Sequence, residues 1–153
     1  MIHMDMNVMN VIAVYDRSRE HVLMCIRSKN PYKGKLNFVG GKVEPGENGV
    51  AAAYRELEEE TSITHNDITL VHLMDMTYYT YRIQIQVYIG RLNKELTVAG
   101  DENQLIWMDA DTDFENMSRF AGEGNIAHII EMIRDDIDHL LPDNDTEEND
   151  YED

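Results

Sequence analysis

Residues 41–63 read GKVEPGENGVAAAYRELEEETSI and decide the fold of this chain. A turn that contains glycine and proline is followed by Asn48, a good N-cap, and then by strong helix formers. The spacing predicts a helix over residues 48–61. Successive residues of a helix are rotated by about 100°, and on this basis we expect one face of the helix to be buried. It carries Val50, Ala53, Tyr54 and Leu57.

Three carboxylates lie on another side of the same helix. Glu56 and Glu60 are one turn apart, and Glu59 lies about 60° from Glu56 on the helical wheel. Like charges one turn apart repel each other, and near a helix C-terminus they also oppose the helix dipole. Such a patch indicates a site for a hard divalent cation, Mg²⁺ above all. In an acidic chain it is also typical of a solvated face, and the glutamates alone leave both interpretations open.

The loop before the helix favours the metal site. Gly40 and Gly41 allow the backbone to approach a ligand closely. Arg55 lies two turns beyond Glu47 and can pair with it, which would tie the loop to the helix. A stiff loop against a carboxylate-bearing helix is a sound base for metal-dependent phosphate chemistry.

This pattern resembles the signature of the Nudix hydrolases, G-x5-E-x7-R-E-U-x-E-E-x-G-U, where U is a bulky aliphatic residue. The matches, at the required spacing, are Gly41, Glu47, Arg55, Glu56, Leu57, Glu59, Glu60 and Ile63. Chance agreement at the charged and glycine positions has a probability on the order of 10⁻⁷ per start position. One position departs: Ser62 stands where the family has glycine, and serine disfavours the positive φ of such a turn.

The resemblance implies an α/β (α+β) fold, namely a Nudix-type α/β/α sandwich with a curved mixed sheet and a loop-helix-loop catalytic box. The hydrophobic pattern elsewhere predicts strands over 6–15, 21–26, 36–43, 68–76, 81–89 and 105–108, and a helix over 125–141. We expect residues 1–142 to form one domain. Residues 143–153 are rich in acids without a base, which predicts a disordered tail.

Site roles follow from the resemblance. Mg²⁺, with Mn²⁺ as an alternative, would be held by the Gly40 carbonyl and by Glu56, Glu59 and Glu60. Structural support for the box would come from Gly41, Glu47 and Arg55. The base that activates water would be Glu59, Glu60 or Glu102. Glu102 could equally be an exposed turn acid.

Other residues are expected to select the substrate. The strand and loop around Asn37 resemble those of MutT-type enzymes that remove oxidised purine nucleotides, some of which bind the purine through an asparagine there. Arg27 matches a phosphate-contacting arginine in some relatives, and Lys42 would steer phosphate or orient a catalytic group. Phe120 would stack on the base, and Glu123 would accept a hydrogen bond from it. In the plainer interpretation Asn37 is a strand-edge residue, Arg27 a surface charge and Phe120 part of the core.

The implied activity is Mg²⁺-dependent hydrolysis of a nucleoside triphosphate to a monophosphate and pyrophosphate, by attack of water on phosphorus. An oxidised purine such as 8-oxo-dGTP is the first substrate to test. The alternatives are cleavage of ADP-ribose or a nucleotide sugar, and a nucleotide-sensing Nudix module without catalysis. All the box carboxylates are present, which argues against the sensor.

Composition limits the partners. The chain has 153 residues and a formal net charge of −17, which argues against a coat for nucleic-acid polymers and against docking on anionic lipid. A single cysteine excludes an intramolecular disulfide framework and favours the cytoplasm. No apolar run is as long as a membrane span. We therefore expect a nucleotide substrate as the partner, no membrane association, and a monomer or homodimer.

Overall fold

The computed structural model describes residues 5–98 and 103–142. Its strands are β1 (Asn7–Tyr15), β2 (His21–Ile26), β3 (Leu36–Asn37), β4 (Val71–Tyr78), β5 (Ile83–Arg91) and β6 (Gln104–Asp109). Its helices are α1 (Gly49–Thr61), α2 (Asn125–Asp135) and α3 (Ile137–Leu140). The predicted fold class is confirmed: the fold is mixed α+β with a curved, open sheet. Glu102 and the acidic segment 143–153 lie outside the described residues.

The sheet mixes parallel and antiparallel pairs. Its strand order is β3-β2-β1-β5-β4, and β6 pairs with β2. β1 and β5 are parallel along their full length, with Asn7 opposite Ile83 and Tyr15 opposite Arg91. The other pairs are antiparallel. The parallel pair lies in the centre, so its strands are rich in buried apolar residues.

The loop that precedes α1 pairs with a central strand. β1 pairs with β2 at Tyr15 and Val22. Nearer the start of β1, its partner is residues 39–43 instead, beginning with a bridge between Ile12 and Val39. This pairing inserts the loop beside the central strand β1 and places it next to α1.

The predicted strand over residues 36–43 is regular only at Leu36–Asn37, followed by isolated bridges. Gly40 causes the interruption, because its φ of +142° does not continue a regular strand.

Helices cover both faces of the sheet. On the α2 side the buried core includes Tyr15, Met24, Phe38, Val87, Phe120, Ile129 and Ile133. On the α1 side it includes Ile12, Leu23, Val39, Leu57, Ile63 and Tyr88. This is the predicted sandwich, with a separate apolar layer under each helix.

The buried face of α1 differs from the prediction. Val50 is 43% exposed, whereas Ala52 is fully buried. The buried residues of the helix are Ala52, Ala53, Leu57 and Thr61. Gly41 packs directly against the Glu56 side chain, one turn from Ala52. The loop therefore extends the covered surface to the carboxylate side, which a helical wheel cannot show.

The C-terminal helix is also shorter than predicted. It breaks at Asp136, where φ is −142°, into α2 and α3. The break lets Leu141 reach the core on the α2 side, where it is 2% exposed. None of the helices in the described ranges combines the length and the apolar character needed to cross a bilayer.

Candidate active site

Local chemistry sets both ends of α1. Asn48 Oδ1 accepts hydrogen bonds from the backbone nitrogens of Val50, at 3.0 Å, and Ala51, at 3.2 Å, so the helix begins where the N-cap predicts. At its end, Ser62 adopts a left-handed φ of 69° and its N–H donates to Glu58 O at 2.9 Å. The departure from the family signature therefore falls on the residue whose backbone most favours glycine.

Arg55 joins the helix to the loop. Its Nε donates to Glu47 Oε2 at 2.7 Å and its Nη2 to Glu47 Oε1 at 2.9 Å. The same Nη2 donates to the Lys42 carbonyl at 3.0 Å. Two-point binding of a carboxylate by a guanidinium is stronger and more directional than a single contact. The bond from Arg55, with a second from the Glu44 backbone, lowers the pKa of Glu47 to about 2.

The box carboxylates converge on Arg55 and Gly40. Arg55 Nη1 lies 3.0 Å from Glu56 Oε1 and 3.3 Å from Glu59 Oε2. Glu60 Oε2 accepts a long hydrogen bond from the backbone nitrogen of Gly40, at 3.4 Å. The Glu59 side chain is 57% exposed, while that of Glu56 is 15% exposed. Within residues 5–98 and 103–142, no three acidic, histidine or cysteine side chains are gathered closely enough to hold a metal ion.

Gly41 brings the backbone against a carboxylate. A Cβ added at this position would collide with the Glu56 carboxyl group. No side chain separates the Gly40–Gly41 peptide from Glu56, because only glycine leaves that space open. The backbone and the carboxylates of Glu56 and Glu60 therefore share one small region between the loop and α1.

Three of the predicted substrate-binding residues are engaged locally. Asn37 Oδ1 accepts a hydrogen bond from Phe38 N at 2.8 Å, and Arg27 Nε donates to Pro31 O at 2.6 Å. Phe120 is 2% exposed and packs against Phe114 with 5.1 Å between ring centroids. The prediction that Phe120 stacks on a base is not supported, because its ring is closed inside the core.

Glu123 lies in a polar cluster that the sequence did not reveal. The Tyr32 hydroxyl lies near the Glu123 carboxylate; burial first, and then the charge of Glu123, raises the pKa of Tyr32. Asn125 Nδ2 donates to the Tyr78 hydroxyl at 2.7 Å. These four residues join the loop before β3, the end of β4 and the start of α2. Gly122 and Gly124, which flank Glu123, have φ values of 81° and 96°. This pair of glycines is the sequence feature that could have indicated a turn presenting Glu123.

Comparison with known proteins decides the family. A family model described as NUDIX domain matches residues 6–125. The chain belongs to the Nudix family. The match spans the sheet, the box and the start of α2, so Nudix membership covers every element that contributes to the site.

Solved structures with the Nudix fold agree. An Ap4A hydrolase from C. elegans shares 20% identity and a TM-score of 0.65, covering 82% of this chain and 95% of that one. The dihydroneopterin triphosphate pyrophosphohydrolase of E. coli shares 22% identity and a TM-score of 0.64, covering 82% and 92%. A MutT protein from Methanosarcina mazei Go1 shares 17% identity and a TM-score of 0.65, covering 88% and 96%. At these identities the likeness shows the fold alone.

Nudix membership supports the predicted enzyme class, a hydrolase of the pyrophosphohydrolase kind. Enzymes of the family act on small nucleotide substrates and generally use divalent metal ions. The side chains present fit such an ion, because Glu56 and Glu60 bring carboxylate oxygens to the Gly40–Gly41 backbone and hard cations prefer oxygen ligands. Glu59 would have to leave Arg55 to join them, and its exposure leaves room for that movement.

Proposed function

We propose that the protein is a nucleoside triphosphate pyrophosphohydrolase that requires Mg²⁺, with Mn²⁺ as a substitute, and releases a monophosphate and pyrophosphate. One observation carries the proposal: Glu56 and Glu60 lie on the Gly40–Gly41 backbone, and Arg55 clamps the loop to the same helix. This arrangement gathers oxygen donors on a rigid support, which phosphoryl transfer requires.

Each box residue has a role in this proposal. Glu56, Glu59, Glu60 and the Gly40 carbonyl would hold the metal, which neutralises charge on the pyrophosphate oxygens when bound. Glu59 or Glu60 would take the proton from the attacking water. Glu102 stays a further possibility for this base outside the described residues. Lys42, whose carbonyl is held by Arg55, would steer the phosphate chain past the box through its side-chain ammonium.

The polar cluster around Glu123 supports a purine-type base. The Glu123 carboxylate lies near Tyr32 and would accept a hydrogen bond from a base N–H, while the tyrosine rings offer apolar faces. Asn37 would add a donor and an acceptor after releasing the Phe38 nitrogen. An oxidised purine nucleotide such as 8-oxo-dGTP is the first substrate that we would test.

A nucleotide panel with Mg²⁺ and analysis of the products tests the activity. Pyrophosphate and a monophosphate from a triphosphate would support the proposal. AMP from ADP-ribose, or cleavage of a nucleotide sugar, would replace it with the corresponding pyrophosphatase. Saturable nucleotide binding without turnover would replace it with a sensor.

Substitutions separate the carboxylates. Glu56→Gln and Glu60→Gln are expected to lower turnover by at least about a hundredfold in excess Mg²⁺, because each removes a charged donor. Glu58→Gln is the matched control, since Glu58 is exposed on the same helix. Near-normal turnover of both site variants would refute the assigned roles.

A further inference from the structure

A buried amide lies beneath the box. Asn10 is in β1 and only 2% of its surface is exposed. Its Oδ1 accepts a hydrogen bond from Gly41 N at 2.9 Å, and its backbone nitrogen donates to Gly41 O at 2.8 Å. The side chain thus supplies an acceptor at the point where Gly40 interrupts the regular pairing with β1.

This contact orients one peptide group. The Gly40–Gly41 peptide is trans, so its C=O is antiparallel to its N–H. Because the N–H points at Asn10, the Gly40 carbonyl points away from β1. A Cβ at Gly40 would collide with the Asn10 backbone, so the two residues are in direct contact. Without the Asn10 side chain, the peptide would keep no acceptor for this N–H and could rotate.

Within the described part of the chain, the other half of the Asn10 amide is a buried donor without a partner, and a buried acceptor without a partner lies on the neighbouring strand. Asn10 Nδ2 and Gln86 Oε1 are both buried and have no hydrogen-bond partner among the described residues. The two residues are directly opposite in the parallel pair of β1 and β5. A Cβ placed on Gly49, the first residue of α1, would lie 2.8 Å from Gln86 Oε1 and 2.8 Å from the Tyr88 hydroxyl. A donor and an acceptor so placed can be joined by one water or by a small rotation.

We propose that Asn10 is a positioning residue: paired with Gln86 across β1 and β5 through one water or a small rotation, it locks the Gly40–Gly41 peptide against Glu56 of α1 and so aims the Gly40 carbonyl at the metal. This inference rests on the proposed function, because it assumes that the Gly40 carbonyl is a ligand. Asn10 touches neither substrate nor metal and acts through Gly41. Groups that orient a ligand in this way typically change metal affinity by about 10- to 100-fold when they are removed.

The decisive variant is Asn10→Leu, which keeps the branched shape of the side chain and removes the amide. We expect Mn²⁺ binding to the substrate-free protein, measured by electron paramagnetic resonance, to weaken by about 10-fold or more. We also expect the Gly41 amide to exchange with deuterium faster in the variant. Thr61→Val is the matched control, since Thr61 is buried on α1 and its hydroxyl donates to Leu57 O rather than to the box loop. The Thr61→Val variant should be less stable than the wild type, but its Mn²⁺ affinity and the exchange rate of its Gly41 amide should be unchanged.

Two further variants keep the test decisive if Asn10→Leu folds poorly. Gln86→Leu leaves the Gly41 contact intact and should accelerate Gly41 exchange less than Asn10→Leu does. Asn10→Leu combined with Gln86→Leu should recover melting temperature, because no buried polar group is left alone, without recovering Mn²⁺ affinity.

Wild-type Mn²⁺ affinity and unchanged Gly41 exchange in a folded Asn10 variant would overturn the inference. Failure of the proposed function would give a different result, because the wild-type protein would then hydrolyse no nucleotide. The hydrogen–deuterium exchange rate of the Gly41 amide would still report whether Asn10 holds the loop.

Discussion

Arg55 donates two hydrogen bonds to the Glu47 carboxylate, with Nε 2.7 Å from one oxygen and Nη2 2.9 Å from the other. The pair closes the loop onto the helix, and the remaining nitrogen, Nη1, faces Glu56 and Glu59. Arg55 therefore holds the loop and also compensates the charge of the carboxylates. A guanidinium suits both tasks because its donors form a rigid, planar fork.

Replacing Arg55 with lysine keeps the charge and removes the fork. We expect Arg55→Lys to lower turnover by about 10- to 100-fold, because small displacements of positioned groups are costly. Steady-state kinetics in saturating Mg²⁺ would measure this. Arg82→Lys, in the exposed turn between β4 and β5, is the control and should leave turnover unchanged. Equal turnover of the two variants would show that the fork is dispensable.

The stabilising effect of Glu47 should depend on pH. Its pKa in the folded protein is about 2, against an ordinary value of 4.5, because Arg55 favours the charged form. A lowered pKa means that the stabilisation is fully present above about pH 4.5 and is lost as the pH falls towards 2. The melting temperature of Glu47→Gln should therefore lie below that of the wild type at pH 6, and the two should converge near pH 2. A difference that is constant over this range would contradict the assignment.

Gly41 and Glu56 should be energetically coupled. Gly41→Ala places a methyl group on the Glu56 carboxylate and is expected to lower stability and turnover together. Glu56→Asp shortens the acid by one methylene and relieves the overlap. A double-mutant cycle by denaturant unfolding should give a coupling of about 0.5–3 kcal/mol. Additive effects would mean that the two groups do not press on each other.

Ser62 offers a route to a more stable protein. Its φ of 69° strains a serine but suits a glycine. We expect Ser62→Gly to raise the free energy of unfolding by about 0.5–1 kcal/mol, after allowing for the greater freedom of glycine in the unfolded chain. Ser28→Gly is the control, since Ser28 is exposed and its φ is not positive. Chemical denaturation would compare them, and an unchanged or lower stability of Ser62→Gly would count against the strain.

Short-range chemistry made much of the box predictable. Only seven residues, the N-cap and the first part of α1, separate Glu47 from Arg55, so the pairing of these two side chains follows from local geometry. Asn48 caps the helix in the same way. The departure at Ser62 was visible as well, because a helix end with a left-handed residue favours glycine wherever it lies in a fold.

Contacts between distant segments were not predictable. Asn10 meets Gly41 because residues 39–43 pair with β1. Tyr32 lies near Glu123 because the chain around Phe120 pairs with Leu36. Strand order and register decide such contacts, and they depend on the sum of many weak interactions rather than on a local pattern.

By itself, the sequence determined the catalytic box: its helix, the loop clamped by Arg55, and the acids on one side of the helix. Only the tertiary structure decided that Ala52 is buried, that Phe120 is closed inside the core and that a buried Asn10 holds the loop. The physical reason is how far apart along the chain the interacting residues lie. Helix caps and ion pairs within a few turns depend on neighbouring residues, whereas burial depends on which surface the sheet brings against each side chain.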